Sequence, residues 1–282
     1  MLFLIGLGLY VDDLSVRALD ALKSSKEVFV EQYTSFIPSG YIAELESKTG
    51  KSIRELARSD LEQDAEKTVS MAKNENIAIL VAGDPLIVTT HKLLLDIADR
   101  LGIAVLVIHA PSILSVAIGE SRLSLYKFGQ VVNVPFWKKD YTPTAFINVV
   151  RQNKGLGLHS LLFLDIDHEH NRPMSLAECL ETMKKADMAE NSGIFKSDPF
   201  VIVIANAGMP DQRTIMARSS KMERFSKELE GKMLSVIIPR SFLSQRKALG
   251  SLSMSFSLFS NTLWYRAVRE SRLSPGTICL QS

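Results

Sequence analysis

Two glycine turns and one acidic cluster carry the residue types that can do chemistry. In LVAGDPLIVTTH an apolar run stops at Gly83-Asp84-Pro85, and two threonines and His91 follow. A residue before proline is pushed toward extended backbone, so Asp84 is expected at the strand's end with its carboxylate exposed. A carboxylate beyond the C-terminal end of a parallel strand stands where open α/β sheets bind ligands. The plainer alternative is an aspartate capping the next helix, with the proline in its first turn. The residues alone leave the two readings open.

The first turn, Gly6-Leu7-Gly8-Leu9, offers backbone that a ligand can approach closely. It is not a dinucleotide fingerprint, because Val11 stands where the third glycine is needed, and no Lys-Ser or Lys-Thr follows to make a P-loop. The segment DIDHEH gathers Asp165, Asp167, His168, Glu169 and His170, a set that can attract a divalent metal. Its His-x-His spacing is wrong for a helical pair, and Arg172-Pro173 follow, so a solvated acidic loop is the expectation. Ser160 beside His159 has no nucleophile-elbow context.

These turns need a scaffold, and the hydrophobic pattern supplies one. LFLIGLG, EVFVEQY, NIAILVAG and IAVLVIHA read as strands. SVRALDALKSS, LEQDAEKTVSMAK and TTHKLLLDIADRLG read as helices between them. Continuous Val/Ile/Leu strands suggest a mostly parallel sheet covered on both faces, and the strand–helix alternation gives an α/β class. Pro111 interrupts the pattern, which places a domain boundary there and predicts two α/β domains, 1–112 and 113–282. In the second, TPTAFINVVRQN is expected as a helix begun by Thr142 with Pro143 at its first position. LHSLLFLD, PFVIVIANAG and KMLSVIIP are expected as strands, with the helix SLAECLETMKKADMA among them. SLSMSFSLFS alternates like a strand but is half serine, so a strand and a loose terminus are both open.

The 282 residues are 46% hydrophobic and 23% charged with a formal net charge of +2, ordinary for a globular protein and no argument for nucleic acid. No apolar run approaches the ~18 residues that span a bilayer. MLFLIGLGLY lacks a basic n-region and reads as a first strand, not a signal peptide. Cys179 and Cys279, the only cysteines, make neither a disulfide framework nor a zinc site, and a cytoplasmic protein with free thiols is expected.

The order of motifs resembles the diphthine synthases of the tetrapyrrole-methylase superfamily. The matching stretches are LIGLGL, EQYTS at 31–35, GDPLIVTTH at 83–91, VIHAPSI at 107–113, YKFG at 126–129 and LHSLLFLDI at 158–166, nearly collinear from Met1 to about Pro239. The resemblance implies two α/β domains, the methyl donor S-adenosylmethionine in the cleft between them, and a homodimer. It implies repeated N-methylation of a 3-amino-3-carboxypropyl group on one histidine of translation elongation factor 2, a step of diphthamide synthesis. Carried over by position, Leu9, Asp84, Ile87, Ser112, Ile113, Leu164, Ala207 and Leu234 line the donor site. No metal and no covalent nucleophile is implied, and no general base is assigned. Asp165 is a candidate to stabilise the product's positive charge, with strand-end capping as its alternative.

The chain departs from the family at Leu234, where a histidine is common, and at Pro239-Arg240, where a Pro/Thr-Gly turn is common. It lacks the long insertion after LFLDI of the eukaryotic enzymes, which favours the archaeal type and trimethylation. The rival readings are a superfamily methylase of a small tetrapyrrole or RNA, a non-catalytic donor-binding module, and a metal-dependent hydrolase using DHEH.

Overall fold

The computed structural model of the chain describes residues 1–33, 37, 40–167, 170 and 172–240. Thr34 and Ser35 of EQYTS, His168 and Glu169 of the acidic segment, the serine-alternating stretch and Cys279 lie outside them. Contacts divide the chain into two units, Met1–Leu125 with Asp165–Met174, and Tyr126–Leu164 with the residues from Ser175 onward.

The first unit alternates β1 (Leu2–Gly6), α1 (Val16–Ser24), β2 (Glu27–Glu31), α2 (Tyr41–Thr49), β3 (Ile53–Leu56), α3 (Arg58–Glu62), α4 (Ala65–Ser70), β4 (Ile77–Val81), α5 (Lys92–Arg100), β5 (Val105–Ile108) and α6 (Ile113–Glu120). Its five strands are all parallel, in the order β3-β2-β4-β1-β5. The central strands β1 and β4 are buried along their whole length because both faces are covered. Leu2 and Leu4 of β1 pack on one face with Leu94 and Ile97 of α5, while Phe3 and Ile5 pack on the other with Ala18 and Leu22 of α1. The helices after β1 and β4 therefore leave to opposite faces, although the two strands are neighbours. That is a topological switch point, the place where an open parallel sheet leaves a crevice beyond its strand ends.

Local chemistry sets the helix limits. The Ser15 hydroxyl caps α1 by accepting the Ala18 N–H at 3.1 Å. α5 stops at Gly102, which holds φ +65°. The single helix expected over LEQDAEKTVSMAK is two, α3 and α4, broken at Asp64. The Asp64 N–H turns back to the Ser59 carbonyl at 2.8 Å.

The second unit holds β6 (Val132–Val134), α7 (Ala145–Gly155), β7 (Ser160–Leu164), α8 (Leu176–Ala189), β10 (Phe200–Ala205), β11 (Arg213–Arg218), the single turn α9 (Ser219–Met222) and β12 (Leu234–Ile238). Between its parts, Ile166–Asp167 and Arg172–Pro173 pair as the short strands β8 and β9 of the first unit. The second sheet has the order β11-β10-β12-β7-β6 and is mixed: only β6 and β7 are parallel. Continuous apolar strands thus signal burial on both faces here, not parallel pairing. β11, β3 and α2 are elements that the sequence reading did not single out. The Arg-Thr-Ile-Met-Ala-Arg run of β11 is charged at both ends and only partly buried, so it carries little periodic signal.

Polar side chains fasten this unit at its loops. Ser175 and Glu178 form a reciprocal capping box at the start of α8. Asn153, buried in α7, bonds the Gln130 N–H at 3.1 Å, the Gln130 carbonyl at 2.9 Å and Ser160 Oγ at 3.1 Å. α7 begins at Ala145 with Thr144 before it, not at Pro143 after Thr142, and the Thr144 hydroxyl bonds the Glu190 carboxylate. Cys179 is buried, and burial pushes its thiol up to about 12, so it is a packing residue and not a nucleophile.

A β-carbon at Gly6 would lie 2.6 Å from the Gly83 carbonyl oxygen, 2.8 Å from Ala110 Cβ and 2.9 Å from Pro85 Cδ. None of these atoms is the end of a flexible chain. Gly6→Ala is expected to cost about 1–3 kcal/mol, the range for overpacking, measured as a lower denaturant midpoint.

Candidate functional site

At the C-terminal edge of the first sheet, the loops after β1, β4 and β5 converge on the switch point. Gly8 and Gly83 face each other across it as an antiparallel pair, Gly83 N–H to Gly8 O at 2.8 Å and Gly8 N–H to Gly83 O at 3.2 Å. Both have positive φ, +71° and +68°, which glycine adopts without cost. Asp13 holds the first loop in shape, its Oδ2 accepting the Leu9 and Tyr10 N–H groups at 2.8 and 3.0 Å. The Tyr41 hydroxyl donates to the Leu7 carbonyl at 2.6 Å. Burial, with Asp13 and Glu44 nearby, raises this phenol above its ordinary value, so it stays a donor.

Asp84 is buried, 6% exposed, where the sequence reading expected an exposed carboxylate. Nor does it cap a helix, because α5 begins only at Lys92. Its Oδ1 accepts the Leu86 N–H at 3.0 Å, an Asx-type turn, and its Oδ2 accepts the Ala110 N–H at 3.3 Å. Oδ2 also lies 2.8 Å from Nδ1 of His109, whose side chain is 66% exposed. The carboxylate thus clamps the end of β4 to the end of β5, which explains why a charged group is worth burying there.

The loop 84–91 ends on a second buried group. His91 is 1% exposed, and its Nδ1 contacts the Thr89 hydroxyl. Burial pushes His91 down to about 4, against an opposing pull from the Pro85 backbone. It is therefore neutral near pH 7, and its 3.9 Å approach to the fully buried Glu31 at the end of β2 is not an ion pair there. In the second unit, burial and then the Arg240 charge push His159 down to about 4 as well.

Several of the residues expected in the donor site come together within the first unit. A β-carbon built on Gly83 would have Leu9 Cδ2 at 4.0 Å and Ser112 Cα at 3.9 Å, so Leu9, Ser112 and the Gly83-Asp84 turn border one space. Ser112 caps α6 from a buried position, and Ile113 is its first residue. Ile87 is 40% exposed beside Val88 at 47%, apolar surface at the same rim. In the second unit, Leu164 ends β7, Leu234 begins β12 and Ala207 follows β10. The register Ala205↔Leu234 and Ser235↔Phe163 puts all three at one end of that sheet. Leu234 is buried and paired in the strand, so its side chain belongs to the core.

Other candidates have local roles. Asp165 Oδ1 accepts the Ile166 N–H at 3.0 Å, and its carbonyl accepts the Met174 N–H at 3.1 Å. The Asp167 carboxylate lies 2.9 Å from His170 Nδ1 and 3.6 Å from Arg172 Nε. The sequence reading passed over His109 as a functional group, although it stands in the quoted VIHAPSI. It also passed over Asp13, whose signal is an aspartate five positions past Gly8. Glu31 and His91 were quoted only as motif letters.

With this geometry in view, the chain can be set beside known proteins. Residues 1–223 match the family model for Tetrapyrrole (Corrin/Porphyrin) Methylases. The chain is 38% identical over 209 residues to the diphthine synthase of Methanothermobacter thermautotrophicus, covering 74% of this chain and 79% of that one. It is 35% identical over 239 residues to the diphthine synthase of Archaeoglobus fulgidus, covering 84% and 88%. A crystal structure of diphthine synthase superposes with a TM-score of 0.73 at 31% identity, covering 85% of this chain and 90% of that one. The chain belongs to the tetrapyrrole methylases and, within them, to the diphthine synthases.

Two predictions follow from the buried groups. Asp84→Ala strands the Leu86 and Ala110 amides, and a cost of about 1–3 kcal/mol is expected, read from denaturant unfolding. His91 and His159 bind protons less well folded than unfolded, where the ordinary value is about 6.5. As pH falls below about 6.5 the unfolded chain therefore takes up protons first. Stability is full above that pH and is lost progressively toward about 4. Thermal melts should show a lower midpoint at pH 5 than at pH 7, and the double variant His91→Gln, His159→Gln should shrink the difference.

Proposed function

We propose that the chain is an S-adenosylmethionine-dependent diphthine synthase that methylates the amino group of a 3-amino-3-carboxypropyl side chain on a histidine of translation elongation factor 2. The observation that carries the reading is the switch-point rim, built from the motifs that mark the family: the Gly8–Gly83 bridge, buried Asp84 and the Ser112 cap of α6. The residues there fit the donor. Leu9 and Ile87 supply apolar surface for an adenine ring, and Gly83, at φ +68°, makes the tight turn that Leu9 and Ser112 border. Peptide groups of the Gly83-Asp84 turn and of the start of α6 supply polar contacts, the usual build of a small-molecule site. Leu9, Asp84, Ile87, Ser112 and Ile113 are the proposed donor contacts of the first unit. Leu164, Ala207 and Leu234 are those of the second, Leu234 through its backbone.

The donor supplies an activated methyl group when bound, so the protein's work is placement: the amine nitrogen must be held ~3 Å from the methyl carbon and in line with the breaking bond. Asp84 serves by fixing the turn on which Gly83 and Ile87 sit. Further parts of the reading are addition of three methyl groups to the same nitrogen, action as a homodimer, and residence in the cytoplasm. No helix among the described residues is long and apolar enough to cross a membrane.

The test is mass spectrometry of elongation factor 2 carrying the unmethylated side chain, after incubation with the protein and S-adenosylmethionine. Mass gains in steps of one methyl are expected, ending at three. Donor binding by calorimetry with no gain in mass overturns the assigned substrate.

A further inference from the structure

Every N-methylation of an aliphatic amine must dispose of a proton, because an ammonium has no lone pair with which to attack. On the methyl-transfer reading above this happens afresh at each round, since a once- or twice-methylated ammonium still carries an N–H. A base for this task must stand at the rim and return its proton to water before the next round.

The carboxylate of Asp84 is poorly placed to be that base. It is buried, and its two oxygens already serve Leu86, Ala110 and His109. His109 differs in kind. Asp84 Oδ2 accepts the Ala110 N–H, so it is an acceptor, and the 2.8 Å contact makes His109 Nδ1 a donor to it. That leaves the lone pair on Nε2 of a ring that is 66% exposed. A histidine held through Nδ1 by a buried carboxylate, with Nε2 open, is the arrangement general bases use. It follows β5 directly, on the strand next to β1 and so beside the switch point.

Of the titratable groups on the neighbouring rim segments, Asp13 and Asp84 are committed to backbone amides and His91 is buried. After β1 the groups are Tyr10, Asp12 and Asp13, with Asp13 committed to the Leu9 and Tyr10 amides. After β4 they are Asp84 itself and His91, which is 1% exposed. On α6 the first acid is Glu120, at the far end of the helix.

We propose that His109 is the proton acceptor of the methyl transfer and that Asp84 is its positioning residue. Nε2 takes a proton from the substrate ammonium, and the N–H bond pair stays on nitrogen. That pair forms the new N–C bond to the donor's methyl group as the S–C bond breaks, its electrons remaining on sulfur. The imidazolium then loses its proton to water, which its exposure permits.

The experiment is single-turnover methylation of elongation factor 2 by wild type and His109→Asn between pH 6 and 9, followed by mass spectrometry, with donor affinity measured in parallel by calorimetry. His109→Asn should be about a hundredfold slower or more at pH 7, lose the rise of rate with pH seen in wild type, bind the donor within twofold of wild type, and recover part of its rate with added imidazole. A variant matching the wild-type rate and pH profile overturns the assignment while leaving the methyltransferase reading intact. A fall in donor affinity as large as the fall in rate, without imidazole rescue, also overturns it, because His109 would then be a binding group. Wild type that transfers no methyl at any pH removes the function and this inference together.

Discussion

The missing side chain at Gly6 is the constraint on which the first unit turns. Three atoms from two segments, Gly83 and Pro85 after β4 and Ala110 after β5, lie within 3 Å of where a β-carbon would stand. Because that space is left to them, the loops after β1, β4 and β5 can close on one another at the switch point. The Gly8–Gly83 hydrogen bonds, the Asp84 clamp and the Tyr41 hydroxyl are fastenings added to that approach. Each satisfies backbone that would otherwise be buried without a partner. These fastenings over-determine the rim, and preorganisation of that kind is what a site that works by placement requires.

Burial gives Asp84 and His91 different consequences. Asp84 is ringed by donors, so its charge is balanced locally by two amides and an imidazole. His91 lies where nothing compensates a positive charge enough to keep it, and it gives up its proton instead. One short loop thus carries a group that works by hydrogen bonding outward across the rim and another that works by filling the space beneath it. A motif written as GDPLIVTTH hides that difference, since both residues are simply polar letters in it.

The α/β class and a mostly parallel sheet were legible in the first unit because burial on both faces writes itself as unbroken Val/Ile/Leu runs. The mixed second sheet was not, because the same runs arise in β10 and β12 whichever way their partners run. The helix over 61–73 looked continuous since Leu61, Ala65 and Val69 keep helical spacing across the break at Asp64. The turn at Gly83-Asp84-Pro85 was located correctly, yet the exposure of its carboxylate was misjudged. Local dihedral preference says where a side chain starts, while its burial depends on β5, a strand 21 or more residues further on. His109 went unremarked for the same reason: its partner is the Asp84 carboxylate, 25 positions earlier, brought to it by tertiary structure.

The path of the chain has a consequence for how the protein comes to be folded. Residues Asp165–Met174 belong with the first unit, although the strand before them and the helix after them belong with the second. The N-terminal unit is thus incomplete until the chain has been made through Met174, by which point β6, α7 and β7 are already present. Domains usually mature in order as they leave the ribosome. Here the last ten residues of the first unit are delivered from inside the second, and neither unit can be cut free at a single peptide bond.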